Sequence, residues 1–282
     1  MKKSFFTFVT FLLVVACSTV PITGRKQLTL IPKSQILPLS FDNYQQVLNE
    51  SQLSDNQEQT AMIKNVGAKI QQAVEKYMAE NNMSDLIDGY KWEFNLIKND
   101  TLVNAWCMPG GKVAFYTGIM PICQDEAGVA VVMGHEVAHA VARHGGERMS
   151  QGLVQQLGGV ALSVALQDKP EETQQLFNTA YAVGTTYGAM LPYSRLHESE
   201  ADKLGLIFMA MAGYDPHEAP EFWERMKANS GGGAPPEWMS THPSHETRIE
   251  NLNDYIPKAM KYYNKSSEGN KKTRSIKVRK SN

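Results

Sequence analysis

The chain has 282 residues, a formal net charge of −1 at pH 7 and 20% charged residues. This length suffices for one large domain with a sizeable core. Nothing in the sequence resembles a nucleic-acid module, so we expect no nucleic-acid partner.

The first 16 residues are typical of a secretory signal peptide. A positively charged start precedes an apolar run from Phe5 to Val15, which is too short to span a bilayer comfortably. Residues 14–17 read Val-Val-Ala-Cys and resemble a bacterial lipobox, so we predict cleavage before Cys17 and lipid attachment to it. An ordinary signal peptide with an incidental cysteine is the alternative. The lipobox predicts a lipid-anchored periplasmic protein, and Ser18 favours the outer membrane.

The next elements indicate a helix followed by a small sheet. Residues 57–81 place apolar side chains every three or four positions, which predicts a long helix. Residues 90–97 alternate between apolar and polar side chains, as a strand does. Residues 104–118 predict two further short strands around the turn Pro109-Gly110-Gly111. The sequence therefore predicts a mainly helical α+β fold with a small β-sheet.

Residues 131–144, VVMGHEVAHAVARH, have the composition of a metal-binding helix. His135 and His139 lie four positions apart, so they share one face of a helix. Zinc prefers nitrogen and sulfur donors, and a catalytic site leaves its fourth position to water. Glu136 lies beside that position, where it can act as general base. Because the flanking residues are apolar, a metal would offset a burial cost of roughly 2–7 kcal/mol for each unpartnered polar group.

Two more helices are predicted after this motif. Gly145 and Gly146 predict the end of the metal-binding helix. Residues 149–166 and 171–190 are rich in small and apolar side chains and predict a helical hairpin. Ordinary core packing is the interpretation that we favour for this hairpin, and a movable lid over the site is the alternative.

A third metal ligand must come from another element. Residues 194–214 predict a helix whose buried stripe begins at Glu198. Asp202 lies one turn further on the same side, where it can accept a hydrogen bond from a ligand histidine. We expect Glu200 to face solvent and His197 to point away from the site.

Two cysteines remain beyond the amino-terminal one. Cys107 and Cys123 lack the CxxC spacing of a zinc site. In an oxidising compartment a disulfide between them would contribute about 3 kcal/mol. Two free thiols that pack in the core are the alternative.

The chain is predicted to have four parts. A signal peptide over residues 1–16 is followed by a linker over residues 17–50 and a zinc metallopeptidase domain over residues 51–264. Residues 265–282 carry seven Lys or Arg against one Glu and predict a basic disordered tail.

Five motifs in order resemble the gluzincin metallopeptidases of the CAAX-prenyl-protease and HtpX family, and its periplasmic lipoprotein members in particular. In chain order they are Asn104-Ala105-xxx-Pro109-Gly110-Gly111, His135-Glu136-xx-His139, Glu198-xxx-Asp202, Ser240-Thr241-His242-Pro243 and Thr247-Arg248-Ile249. The resemblance runs from about Pro21 to about Tyr255.

This resemblance implies one zinc ion held by His135, His139 and Glu198. It also implies that Glu136 is the general base, that Asp202 orients a ligand, and that the histidine of Ser-Thr-His-Pro, here His242, can reach the zinc and close the site. A loop histidine that only helps to hold substrate is the alternative for that residue. Arg195 and Arg248 are expected to pair with buried carboxylates.

The implied function is that of a zinc endopeptidase of the bacterial envelope that degrades unfolded or misassembled envelope proteins. Substrate would add as a strand to an exposed sheet edge beside the zinc cleft. Envelope assembly machinery is a further candidate partner. One alternative is a chaperone-like lipoprotein that binds clients with little or self-inhibited proteolysis. Another is a structural metal-binding lipoprotein, which would leave Glu136 without a purpose.

Overall fold

The computed structural model describes residues 17–186, 190–229, 238–239, 242 and 248–280, with the backbone alone at 17, 191–193 and 267–280. The strands are β1 (Cys17–Thr19), β2 (Lys26–Leu28), β3 (Glu93–Ile97), β4 (Ala105–Met108) and β5 (Lys112–Tyr116). The helices are α1 (Lys33–Glu50), α2 (Gln57–Glu80), α3 (Met120–Cys123), α4 (Glu126–Val141), α5 (His144–Ala165), α6 (Glu171–Thr185), α7 (Leu191–Met211), α8 (Glu218–Asn229) and α9 (Arg248–Lys280). The predicted mainly helical α+β fold is confirmed.

The three-stranded sheet has the order β3-β5-β4. Strand β5 pairs with β3 in parallel and with β4 in an antiparallel hairpin. Gly110 and Gly111 form the hairpin turn with φ values of 89° and 80°, a backbone conformation that glycine adopts without steric cost. Strand β4 is therefore an edge strand of this sheet.

Helix α4 lies in the centre of the core. Its side chains from Gly128 to Val141 are all buried, among α2, α7, α8 and β4. Asp125 caps its start, where the side chain accepts hydrogen bonds from the backbone N–H groups of Ala127 and Gly128.

Helices α4 and α7 contact each other backbone to backbone. A Cβ atom on Gly205 would lie 2.9 Å from the backbone nitrogen of His135, and one on Gly134 would lie 2.9 Å from the carbonyl oxygen of Gly205. Because two glycines meet at the crossing, the helix axes approach more closely than larger side chains would allow. This approach brings the histidines of α4 next to Glu198 on α7.

The end of α4 differs from the prediction. The helix ends at Val141, and Arg143 adopts a left-handed conformation with φ of 61° that redirects the chain. Gly145 and Gly146 lie instead in the first turn of α5. The prediction that these glycines end the metal-binding helix is therefore wrong, because the turn is made before them by a non-glycine residue.

The hairpin of α5 and α6 is exposed along most of its length. In α5 the buried residues are His144, Gly146, Glu147 and Ser150, and in α6 there are none. Nine large apolar side chains of the hairpin are 40% or more exposed, with Leu176 at 67%. They are Met149, Leu153, Val154, Leu157, Val160, Val164, Leu176, Phe177 and Val183. The favoured prediction of ordinary core packing is wrong, because apolar composition does not specify a covering partner.

The two ends of the chain also show structure where less was expected. The predicted linker contains β1, β2 and the 18-residue helix α1. Helix α9 packs Leu252, Ile256 and Ala259 into the core and continues to Lys280 through the segment predicted to be disordered. A helix that is nucleated by packing propagates readily through Lys and Arg, which are good helix formers.

The predicted signal peptide, residues 1–16, lies outside the described residues. Among the helices that the structure describes, none has the length and apolar character needed to cross a bilayer.

Candidate metal centre

Four side chains from three parts of the chain converge between α4 and α7. His135, His139, Glu198 and His242 each offer a ligand atom, and these atoms all lie within 4.8 Å of one another. His135, His139 and Glu198 are 3%, 6% and 3% exposed. The structure thus brings together the three predicted ligands and the histidine that was expected to reach them.

The distances between the donor atoms fit a small tetrahedral cation. His135 Nε2 lies 3.1 Å from His139 Nε2 and 3.2 Å from His242 Nδ1. Glu198 oxygens lie 3.3 Å from the first two of these atoms and 3.1 Å from the third. Tetrahedral ligands at zinc bond lengths are separated by about 3.4 Å. Three imidazole nitrogens and one carboxylate therefore form a donor set of the kind that zinc prefers.

Asp202 holds the ring of His135 from the side opposite the other ligands. His135 Nδ1 lies 3.0 Å from Asp202 Oδ1, and Arg248 Nη2 donates to the same oxygen at 2.6 Å. Burial works to raise the pKa of Asp202, but the charge of Arg248 and the hydrogen bond with His135 outweigh it and lower the pKa. An ionised Asp202 accepts the Nδ1 proton, so Nε2 keeps its lone pair for a metal.

Glu198 is kept ionised by its neighbours. Burial would raise its pKa, but the electrostatic effect of His139 and hydrogen bonds from the three histidines lower it far below its usual value. Arg248 adds a hydrogen bond at 3.3 Å from Nη1. Arg248 is thus the predicted partner of buried carboxylates, whereas Arg195 is exposed.

Glu136 lies beside the cluster rather than within it. It is 4% exposed, and Trp238 Nε1 donates a hydrogen bond to its Oε1 at 2.7 Å. His242 Nε2 lies 3.4 Å from the same oxygen. This position suits a base that acts on a group held at the cluster.

Trp238 and His242 lie against the site. Met239 is also described, while the rest of Ser240-Thr241-His242-Pro243 and Thr247 lies outside the described residues. The backbone N–H of Trp238 donates to the carbonyl of Val103 at 3.1 Å, just before edge strand β4. Trp238 and His242 therefore contact the edge of the sheet, the general-base candidate and the donor cluster together.

A cavity of about 210 Å³ lies beside His139. Leu37 and Tyr90 contribute to its wall, and Cys107 and Met108 of β4 line it as well. A cavity of about 150 Å³ in a protein core can hold a benzene ring, so this space can accept a large apolar side chain. The edge strand and this recess, which is largely apolar but also lined by Lys33, Arg143 and Arg148, thus border the donor cluster on one side.

A second buried polar network, which the sequence analysis did not find, adjoins His139. Its members are Thr23, Arg25, His144, Glu147, His197 and Glu200. Glu200 is 1% exposed and bound by Arg25, so the expectation that it faces solvent is wrong. A single helix wheel places Glu200 away from Glu198, but the segment after β1 covers that second face of α7.

One arginine of this network, Arg25, pairs with both of its carboxylates. Arg25 Nη2 lies 2.8 Å from Glu147 Oε2 and 2.9 Å from Glu200 Oε2. Burial works to raise the pKa of both carboxyls, but hydrogen bonds from Arg25 and from His197 or His144 lower each to about 2. His197, which was expected to point away from the site, binds Glu147 at 2.8 Å and stacks on His144.

The cysteines are separate thiols. Cys107 and Cys123 are both free, so of the two possibilities that the sequence left open, two unbridged thiols is the one that the structure shows. Burial raises the pKa of each thiol, which keeps both protonated at neutral pH.

Comparison with known proteins places residues 65–256 in a match to Peptidase family M48. The chain is 32% identical to the mitochondrial metalloendopeptidase OMA1 of Saccharomyces cerevisiae, over 87% of this chain and 71% of that one. It is 32% identical to human mitochondrial metalloendopeptidase OMA1, over 86% of this chain and 46% of that one. It is 30% identical to the β-barrel assembly-enhancing protease of Escherichia coli, over 56% of this chain and 33% of that one.

These relatives correct one prediction. The matches that cover most of the chain are to mitochondrial enzymes from yeast and human. The predicted periplasmic location with an outer-membrane lipid anchor is therefore wrong. That prediction rested on a short terminal pattern around Cys17, whose backbone pairs with Leu28 in the structure.

Proposed function

The chain belongs to Peptidase family M48, and on that premise we propose that it is a zinc-dependent endopeptidase that cleaves extended segments of unfolded or misassembled proteins. The observation that carries this proposal is the buried set of His135, His139 and Glu198 with Glu136 beside it. A bound zinc ion would polarise the scissile carbonyl and lower the pKa of a water molecule.

The residues of the chain supply the remaining chemistry. Glu136 takes the proton of the attacking water and delivers it to the nitrogen of the leaving amine. Asp202 holds His135 in the tautomer that frees Nε2. Strand β4 offers its unpaired edge to an extended substrate, because backbone hydrogen bonds can hold many different sequences. The recess beside His139 then receives an apolar substrate side chain.

The first test compares casein cleavage by the zinc-loaded wild type and the variant Glu136→Gln. We expect the variant to lose about 10²–10⁴-fold in kcat, because the proton acceptor is removed while the side-chain shape is kept. Zinc content, measured by metal analysis, should stay the same. Glu126→Gln is the matched control, since Glu126 begins the same helix and pairs with Lys69 and Tyr214 away from the donors. Cleavage by Glu136→Gln at the wild-type rate would refute the mechanism.

The position of His242 indicates a closed resting state. His242 occupies the fourth corner of the donor set, where an open site would hold water. We expect His242→Ala to raise kcat/KM by about tenfold if only one molecule in ten is open at rest. His217→Ala, which removes an exposed histidine on the loop before α8, is the control. Unchanged or lower activity in His242→Ala under every condition would rule out self-inhibition.

The same closed arrangement favours one alternative function. A protein that holds clients with little proteolysis would also bind extended segments at β4. Suppression of client aggregation that survives in Glu136→Gln, with no cleavage by the wild type or His242→Ala, would support that alternative.

A further inference from the structure

The ring of His139 has a buried partner on the side that faces away from the donor cluster. His139 Nδ1 lies 2.9 Å from His144 Nδ1, and His144 Nε2 lies 3.1 Å from Glu200 Oε2. His144 and Glu200 are 0% and 1% exposed. Three side chains thus form a continuous hydrogen-bonded line that ends on a carboxylate.

The direction of the hydrogen bonds in this line is fixed by its ends. Ionised Glu200 can only accept, so His144 Nε2–H donates to it and His144 Nδ1 is left with a lone pair. His139 Nδ1–H then donates to that lone pair. The only remaining lone pair on His139 is at Nε2, the atom that lies 3.1 Å from His135 Nε2 and 3.3 Å from Glu198 Oε1.

This line resembles the arrangement that holds the other ligand histidine. His135 Nδ1 is bound by Asp202, which Arg248 holds in turn. Glu200 is held by Arg25, whose Nε and Nη2 donate at 3.0 and 2.9 Å, and by Thr23 Oγ1 at 2.7 Å. Each ligand histidine therefore leads to a carboxylate that is paired with an arginine, one directly and one through a second imidazole.

We propose that His144 and Glu200 are positioning residues for the metal centre: they fix the tautomer and ring orientation of His139, and Arg25 fixes Glu200. This role rests on the metal binding that the proposed function requires. Partners in this position typically change metal affinity by about 10–100-fold when they are removed.

His197 provides a matched control within the same network. It is also 0% exposed, stacks on His144 with ring centroids 4.3 Å apart, and bonds to Glu147, which Arg25 also holds. Its Nε2 bonds to Glu147 at 2.8 Å, whereas His144 Nδ1 bonds directly to the ligand His139. A merely structural network would make His144 and His197 equivalent, whereas a positioning role separates them.

The experiment measures zinc affinity by competition with a chromophoric chelator for the wild type, His144→Leu and His197→Leu. We expect about 10–100-fold weaker binding for His144→Leu and less than about threefold for His197→Leu. Thermal unfolding of the metal-free proteins should show a similar loss of stability for both variants, since each variant buries a leucine in a polar site. Equal affinity losses in the two variants would overturn the proposal.

A conservative variant keeps the test decisive if His144→Leu does not fold. Asparagine places its side-chain oxygen near the position of histidine Nδ1, so His144→Asn keeps an acceptor for His139 but loses Glu200. We expect it to recover most of the affinity, and the visible spectrum of its cobalt-substituted form should remain like the wild type. A zinc affinity that is still about 10–100-fold weaker in His144→Asn, with a cobalt spectrum unlike that of the wild type, would contradict positioning.

The two proposals fail in different ways. If the wild type binds no zinc, the proposed function fails. If the wild type binds zinc and the variants His144→Leu and Glu200→Gln bind it as tightly as the wild type does, only the positioning role fails. This holds whatever the cleavage activity of any variant.

Discussion

The helix pair α4 and α7 and the helix pair α5 and α6 are adjacent in the chain and both rich in Ala, Gly, Leu and Val, yet their burial is opposite. Leu204 on α7 is 0% exposed, whereas Leu157 on α5 is 58% exposed. The first pair is largely buried and brings the donor atoms of His135, His139 and Glu198 within 4.8 Å of one another. The second pair shows that an apolar sequence can predict a helix without predicting which other element, if any, buries its apolar face.

The largest difference between the pairs should appear on truncation of these two leucines. Leu204→Ala removes a fully buried side chain and should cost about 2–5 kcal/mol of unfolding free energy. Leu157→Ala should change it by less than about 0.5 kcal/mol. Urea unfolding of the two variants measures both values. A cost for Leu157→Ala as large as that for Leu204→Ala would show that another surface covers the hairpin in solution.

Glycine substitutions should give opposite signs in the two pairs. Gly205→Ala places a Cβ atom 2.9 Å from the His135 nitrogen, so α4 and α7 must separate at a cost of about 1–3 kcal/mol. Gly152 has no atom within 4 Å of an added Cβ, so Gly152→Ala should stabilise α5 by about 0.4–1 kcal/mol. Thermal unfolding checks both signs, and a destabilised Gly152→Ala would contradict an uncovered α5.

The last expected effect is confined to acid and concerns the buried first turns of α5. The pKa of Glu147 falls from the ordinary 4.5 to about 2, because hydrogen bonds from Arg25 and His197 outweigh burial. Its ionised form therefore stabilises the fold fully above about pH 4.5, and this contribution is lost as the pH falls toward 2. In Glu147→Gln the unfolding free energy should therefore fall less steeply with decreasing pH, by up to about 1.4 kcal/mol per pH unit.

Unfolding free energies measured from pH 6 to pH 2 test this expectation. Glu171→Gln, which removes the same charge from the exposed start of α6, is the matched control. Identical acid profiles for Glu147→Gln and the wild type would mean that the Arg25 ion pairs do not persist in solution.

Much of this metalloendopeptidase could be predicted because the roles of some residues depend only on their neighbours in the sequence. Four-residue spacing puts His135 and His139 on one face whatever surrounds the helix, and the apolar flanks predict burial. Glu198 and Asp202 follow the same logic on α7. The turn at Gly110 and Gly111 likewise depends only on local backbone freedom.

The rest depended on contacts between distant segments. Glu200 looked solvent-facing because its cover comes from Arg25, 175 residues earlier in the chain. His144 lay within the motif that was recognised, but its value depends on a bond to Glu200 that no spacing rule indicates. Arg143 could not be predicted to end α4, because the glycines that follow it are the more usual residues in a left-handed conformation.

The contact between His144 and Glu200 also closes a long loop, since it joins the residues just after the first ligand pair to those just after the third ligand. The chain between His144 and Glu200 therefore begins and ends at the same point of the structure. The entropy of closing such a loop grows only logarithmically, so halving or doubling its length changes the closure free energy by about 0.6 kcal/mol. Insertions or deletions in the hairpin should therefore accumulate during evolution without moving the metal ligands, which makes this the position where the protein can most readily gain a new peripheral part.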